Sequence, residues 1–332
     1  MKIKKRQIGY RYIHVFTAFL AFLFLTACAI PLADKPVDQH IFTGFYFDTF
    51  VQITVYGAFP DDTAEGLKEM LEKYDMLFSE SSDKGILADI NSNATEIILD
   101  DESAYLVNYL LDGAALTDGL FDPTIYPVSL LWGFGSESPE VPDEKLISDA
   151  VLKCDYKSLH LNGNILTKDD PDIMISFGAV AKGYIADQTA GYLKDNGIDN
   201  ALINLGGNVY CLGFKNGSDN YNIAIKKPFS DNEAVTSVPV SDGMSVVTTG
   251  IYERYFESDG VIYHHIIDTA TGYPVQNGLG SVTVIGPESK VCDFLSTAYF
   301  VSYGNSIITS RLNDTYPDYE VIYVSEKGEI IK

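Results

Sequence analysis

The chain reads as an α+β protein of mixed, largely antiparallel sheets with packed helices, in two intimately joined lobes. Three observations predict this. Alternating stretches rich in β-branched and aromatic residues, such as TGFYFDTFVQITVYG (43–57), GMSVVTTG (243–250) and YEVIYVS (319–325), mark strands. Stretches with a helical apolar period, DDTAEGLKEMLEKYDMLFS (61–79), a looser one over 102–117 and SKVCDFLSTAYFVSYG (289–304), mark helices. The two kinds follow one another without a regular strand–helix–strand beat, which argues against a doubly wound sheet.

Each element has its own warrant. Asp62 and Glu65 stand in capping-box spacing at the start of the 61–79 helix. DGLFDPTIYPVSLLWGFG (118–135), with two prolines and the only tryptophan, reads as an ordered loop. HLNGNIL (160–166) is a hairpin around an Asn-Gly turn. ISFGAVAKGYIADQ (175–188) begins as an apolar strand, turns at Gly178 and Ala179, and runs from Lys182 past Gly183 as a helix towards Lys194. NALINLGGNVYCLG, YNIAIKK and YHHIID complete the predicted strands, and no repeat or heptad pattern appears.

Residues 1–27 read as a secretory signal. Lys2, Lys4, Lys5, Arg6 and Arg11 precede the apolar run Val15–Ala27, which is shorter than the roughly 20 residues a bilayer span needs. Leu25-Thr26-Ala27-Cys28 resembles a bacterial lipobox, which implies cleavage before Cys28, a lipid on its sulfur and a membrane-tethered domain on the extracytoplasmic face. The polar, proline-bearing stretch 28–41 would be the tether and 42–332 the folded domain. The formal charge is −23, and loss of the five leader cations makes it −28, which disfavours a nucleic-acid partner. Cys154, Cys211 and Cys292 are an odd, widely spaced trio and read as core residues, not as a disulfide framework.

Several constellations carry possible chemistry. A glycine turn and a lysine at the mouth of a helix (Gly178 to Lys182) suit an anion, because free N–H groups and the helix dipole face it. The pattern lacks the spacing of a nucleotide-triphosphate loop, so a plain strand-to-helix turn is the bland alternative. Asp293 and Thr297, four apart on one helix face, offer oxygen ligands to Mg²⁺; otherwise Asp293 favours a first-turn dipole and Thr297 packs. His264 and His265 must face opposite ways on a strand, so one of them at most points to a given site as a general base. The paired Gly206 and Gly207 mark a tight crossing or a close approach of backbone to a ligand. No G-x-S-x-G elbow and no zinc spacing is present.

Together these stretches resemble the ApbE family, the FAD:protein FMN transferases. FDTFVQITVYG, DGLFDPTIYPVSLLWGFG, GAVAKGYIAD, ALINLGGNVYCLG, HHIIDTATGYPV and SVTVIGPESKVCDFLSTAYFVSYG are similar to six of its motifs, in the family's order and over nearly the whole mature chain. The resemblance implies an enzyme that moves the FMN part of FAD to a Ser or Thr hydroxyl of an acceptor protein and releases AMP. It implies Mg²⁺ held by the Ala179 carbonyl and the Asp293 and Thr297 side chains, with Ser296 assisting. Lys182 would offset diphosphate charge and His265 would take the hydroxyl proton. Phe47, Leu120, Phe121, Asp122, Ser176, Gly206, Gly207, His265 and Ile266 fall on nucleotide-contacting positions. Ser176 stands where the family usually has Asp, and Phe47 where it often has Met. The acceptor would be a separate protein, in the setting of membrane redox proteins, since no D-x-x-[ST]-G-A-[ST]-like motif occurs here. An FAD pyrophosphatase or FAD-binding lipoprotein, and a non-catalytic solute-binding lipoprotein, are the competing readings.

Overall fold

The alternating segments pair into one eight-stranded sheet whose strands all run antiparallel to their neighbours. A computed structural model describes residues 38–331, apart from 81, 83 and 216–218. In spatial order the strands are Gln39–Tyr46, Thr49–Tyr56, Ala201–Leu205, Asn208–Leu212, Met244–Gly250, Leu279–Gly286, Glu320–Ser325 and Ile330–Ile331. Three small antiparallel sheets accompany it: Glu96–Ile98 with Ile165–Lys168 and Leu159–Asn162, Tyr221–Lys226 with Ala234–Val240, and Tyr255–Ser258 with Val261–His264. The expected α+β class is therefore observed, and the described residues form one unit. The leader, Cys28 and the tether up to residue 37 lie outside the described residues. The first strand begins at Gln39, inside the stretch expected to be tether.

Strand alternation decides which side chains meet the helices. Val51, Ile53, Ile203, Leu205, Val247, Val282 and Val284 enter the main core beneath the helices Asp61–Phe78, Asp101–Leu116, Ala181–Asp195 and Ser289–Val301. Cys211, Val246 and Ile285 point to the other face, where the Tyr221–Lys226 hairpin covers them through Tyr221 and Val240. The Ser289–Val301 helix is the most enclosed of the described helices: every residue from Ser289 to Phe300 is buried except Thr297.

Four local expectations are corrected. The stretch 43–57 is a hairpin, not one strand, because Phe47 and Asp48 turn the chain at φ 56° and 55° and Asp75 accepts the Phe47 N–H at 2.7 Å. The 61–79 helix lacks the predicted cap. Pro60 precedes it without a side-chain bond, and Asp61 and Asp62 complement the dipole instead. The 118–135 loop contains a 3₁₀ turn, Pro123–Ile125, and a helix, Tyr126–Trp132. Residues 175–177 join no sheet. The Asn91 amide takes both the N–H and the carbonyl of Ile175, at 2.7 and 2.9 Å, and the Ser176 N–H goes to the Pro123 carbonyl at 2.9 Å.

The tryptophan explains why two distant motifs adjoin. Trp132 is fully buried, stacks on Tyr263 at 5.2 Å and donates its indole N–H to the Gly272 carbonyl at 2.8 Å. Thr269 Oγ1 donates to the Gly119 carbonyl at 2.9 Å. These bonds hold the 268–274 turn against the 118–135 segment.

Candidate active site

The site is built where the Ala181–Asp195 helix crosses the Ser289–Val301 helix. Gly183 is the crossing point: a Cβ there would lie 2.3 Å from the Ser289 carbonyl oxygen and 2.8 Å from Asp293 Cβ. Without one, the backbones approach, and the Gly183 N–H donates to Asp293 Oδ2 at 2.9 Å. Gly183 is the third residue of its helix, so its N–H is one of the first-turn donors that find no carbonyl within the helix, and the buried Asp293 carboxylate satisfies it. Ala179 precedes the N-cap Val180, so its carbonyl stands outside the bonding of that helix. Asp293 is the fifth residue of its helix and not in its first turn, so the dipole alternative falls.

Asp187 fixes the second helix against the first. Its carboxylate accepts the Ser289 and Lys290 N–H groups at 2.8 and 2.9 Å, supplying the N-terminal cap that the helix's own Glu288 does not. Burial pushes this carboxyl up to about 6 in spite of those two bonds.

Hydroxyls gather one turn further on. Thr249, on the adjoining strand, has its Oγ1 2.7 Å from Ser296 Oγ and 3.1 Å from Thr297 Oγ1. Ser296 is wholly buried and donates to the Asp293 carbonyl at 2.9 Å. Its hydroxyl is therefore engaged within the protein with two partners. Thr297 and Thr249 are half-buried, while Ser296 is enclosed. Among the described residues no three His, Cys, Asp or Glu side chains group to hold a metal. A cation here would rest on the mixed oxygen set of Asp293, Thr297 and the Ala179 carbonyl, which suits a hard ion.

The histidines divide as alternation requires. His264 is buried; its Nδ1 receives the Ile266 N–H at 3.3 Å, so Nε2 carries the proton to the Val275 carbonyl at 3.0 Å. Desolvation holds this imidazole down at about 4. His265 is half-buried, and its Nδ1 lies 3.3 Å from the Arg254 carbonyl, which only accepts; Nε2 is thereby left as the free acceptor. Desolvation first, then the Arg254 cation, with smaller pushes from His264 and Lys182, lowers it to about 3. Lys182 is close enough to act on both His265 and Glu253. Desolvation raises the Glu253 carboxyl, and Lys226, Lys182 and Arg254 draw it back. Three cations thus act on this one carboxylate in an otherwise acidic chain.

The sequence profile of the ApbE family matches residues 47–319. The chain belongs to the ApbE family. It is 31% identical over 274 residues to a FAD:protein FMN transferase of Treponema pallidum, covering 76% of each chain. The crystal structure of the ApbE protein of Thermotoga maritima superposes with a TM-score of 0.80 at 31% identity, over 89% of this chain and 97% of that one. The flavin transferase ApbE of Vibrio cholerae gives 0.78 at 26%, over the same shares.

Membership in the ApbE family does not make every expected contact a surface one. Phe121 is buried edge-on against Phe294 at 5.2 Å. Asp122 is buried, with its carboxylate receiving Thr124 N–H and O–H at 2.8 and 2.6 Å and Tyr156 N–H at 3.0 Å; desolvation raises it. Ile266 is buried, and its backbone is bonded to His264 and to Val275. The polar groups of these three residues already have protein partners. Leu120 is half-buried against the core. Gly206 and Gly207 form a two-residue turn at φ 61° and 100°, and a Cβ at Gly206 would strike Thr49 at 2.2 Å. The half-buried Phe47 sits in the turn of the neighbouring hairpin, two residues before Thr49.

Ser176 replaces the family's usual Asp in an informative way. Its Oγ receives the Gly178 N–H at 2.9 Å and bonds to the Glu80 carboxylate, which brings a negative charge to that point from another segment. Sequence reasoning missed Glu80, Thr249, Asp187 and Arg254, since each acts across the fold. It also missed Lys168, buried with its ammonium on the carbonyls of Ile90, Ser92, Pro171 and Ile173 at 2.7–3.1 Å. With Asn91, this lysine braces the loop leading to Ser176. A cleft of about 370 Å³ between Tyr105, Asp187, Tyr210 and Lys290 lies along the same helix, and none of the predicted site residues lines it.

Proposed function

We propose that this chain is an Mg²⁺-dependent FAD:protein FMN transferase, lipid-anchored through Cys28 on the extracytoplasmic face of a membrane. The observation that carries the reading is the crossing at Gly183. There the buried Asp293 carboxylate takes a first-turn N–H of the helix that bears Lys182, with the Thr297 hydroxyl one turn further along its own helix, in a chain with relatives named FAD:protein FMN transferase. Asp293, Thr297 and the Ala179 carbonyl would hold the cation, which when bound supplies charge stabilisation at the diphosphate. Lys182, with Arg254 nearby, neutralises the charge that develops as the phosphorus–oxygen bond to AMP breaks. Phosphoryl transfer depends mainly on such positioning and neutralisation. A Ser or Thr hydroxyl of the acceptor attacks the FMN-side phosphorus, its proton passes to His265 Nε2, AMP departs, and a phosphoester joins FMN to the acceptor.

The acceptor is a separate protein on the same side of the membrane, one of its redox proteins. The test incubates purified protein with FAD and Mg²⁺, with and without an acceptor domain carrying a Ser/Thr flavinylation motif, and follows AMP release and intact mass. The expected result is one FMN per acceptor motif and none on this chain. AMP released equally without acceptor would make it a pyrophosphatase instead, and neither AMP nor adduct would leave a binding protein.

A further inference from the structure

We infer that Thr249 is a positioning residue for the proposed cation site, acting through a one-way chain of hydroxyl protons that aims the lone pairs of Thr297. The inference rests on the reading of Asp293 and Thr297 as cation ligands and adds a residue and a mechanism to it.

The direction of the chain follows from its last member. A carbonyl only accepts, so the single proton of Ser296 lies on the Asp293 carbonyl, at 2.9 Å. Ser296 Oγ then has only lone pairs to offer Thr249, and the 2.7 Å bond between them is donated by Thr249. With its own proton so placed, Thr249 meets Thr297 as an acceptor, and the 3.1 Å bond is donated by Thr297. The Thr297 proton is drawn inward to the sheet and its two lone pairs are left facing away from Thr249.

That orientation is what a cation needs and what a free threonine lacks. A helical threonine readily turns its proton to a carbonyl three or four residues back, which rotates its lone pairs elsewhere. Thr249 competes with that alternative. Thr297 is also the one residue between Ser289 and Phe300 that is not buried, so the lone pairs are presented at the one opening within that stretch. A bound cation would in turn polarise the Thr297 O–H and strengthen each bond behind it. Removing such an outer partner typically lowers metal affinity by about 10–100-fold.

The test titrates Mn²⁺ into the protein without FAD, reading free Mn²⁺ by electron paramagnetic resonance, with circular dichroism to confirm folding. Thr249→Val keeps the shape and removes the hydroxyl; we expect its Mn²⁺ affinity to fall by about 10-fold or more, with Thr249→Ser returning to near the wild-type value. Should the valine variant fail to fold, Thr249→Ala carries the same expectation. Asp293→Ala serves as the control that loses the site. Wild-type affinity in Thr249→Val, or no rescue by serine, while Asp293→Ala loses binding, overturns the hydroxyl chain and leaves the cation site standing. Wild-type affinity in Asp293→Ala as well, or no binding by the wild type, overturns the cation site and this inference with it.

Discussion

Gly183→Ala is the substitution whose consequence can be worked most directly. The new methyl would sit 2.3 Å from the Ser289 carbonyl oxygen, 2.7 Å from its carbon and 2.8 Å from Asp293 Cβ. The first two are backbone atoms, so no side chain can swing away and the helices must part by about 1 Å to reach ordinary contact. Overpacking of this kind costs about 1–3 kcal/mol. Alanine's helix preference over glycine returns about 1 kcal/mol, so the net loss of stability is about 1 kcal/mol and the variant folds. The Gly183–Asp293 bond, now 2.9 Å, stretches beyond hydrogen-bonding range. A 1 Å misplacement of catalytic groups can lower the rate by about 10²-fold. Urea unfolding and FMN transfer to an acceptor therefore separate: small loss in the first, large loss in the second. Gly191, on the same helix with nothing within 4 Å of its Cβ position, is the control, and Gly191→Ala should be neutral or slightly stabilising. Turnover of Gly183→Ala within about three-fold of wild type would refute the close crossing as the device that builds the site.

Asp293→Ala should abolish metal-dependent FMN transfer, and undiminished turnover at saturating Mg²⁺ would remove it from the site. His265→Ala should slow transfer by about 10²–10⁴-fold with little change in FAD affinity, whereas His264→Gln should act on stability; the reverse pattern in kinetics and urea midpoints would exchange their roles. The pH dependence follows from His264, whose folded pKa of about 4 lies below the ordinary 6.5. The unfolded chain binds the extra proton, so this group leaves stability intact above pH 6.5 and erodes it as pH falls from there to about 4. Between pH 7 and pH 5 the stability advantage of wild type over His264→Gln should shrink by about 2 kcal/mol, and parallel urea midpoints for the two proteins would contradict it.

Much of the fold was legible because its signals are local. The helices Asp101–Leu116 and Ser289–Val301 and the hairpin at the Asn-Gly turn follow from period and turn chemistry, which neighbours in sequence generate by themselves. The hairpin at Phe47–Asp48 was hidden because apolar alternation runs through the turn, and left-handed backbone at a phenylalanine has no signal of its own. Residues 175–177 look like a strand, yet an asparagine 84 positions away takes the hydrogen bonds a sheet would have used.

The sequence by itself determined the class of fold, the family through six ordered motifs, and the spacing that puts Asp293 and Thr297 on one helix face. Strand alternation also determined that His264 and His265 part company. Only the tertiary structure decided which one packs inward, that Ser296, Phe121 and Asp122 are engaged inside the protein, and that Thr249, Asp187, Arg254 and Glu80 belong with the site. The physical reason is reach. Periodicity tells which residues share a face, whereas burial and the direction of a hydroxyl or carboxylate depend on the partner that another strand or helix brings up, and that partner has no fixed distance along the chain.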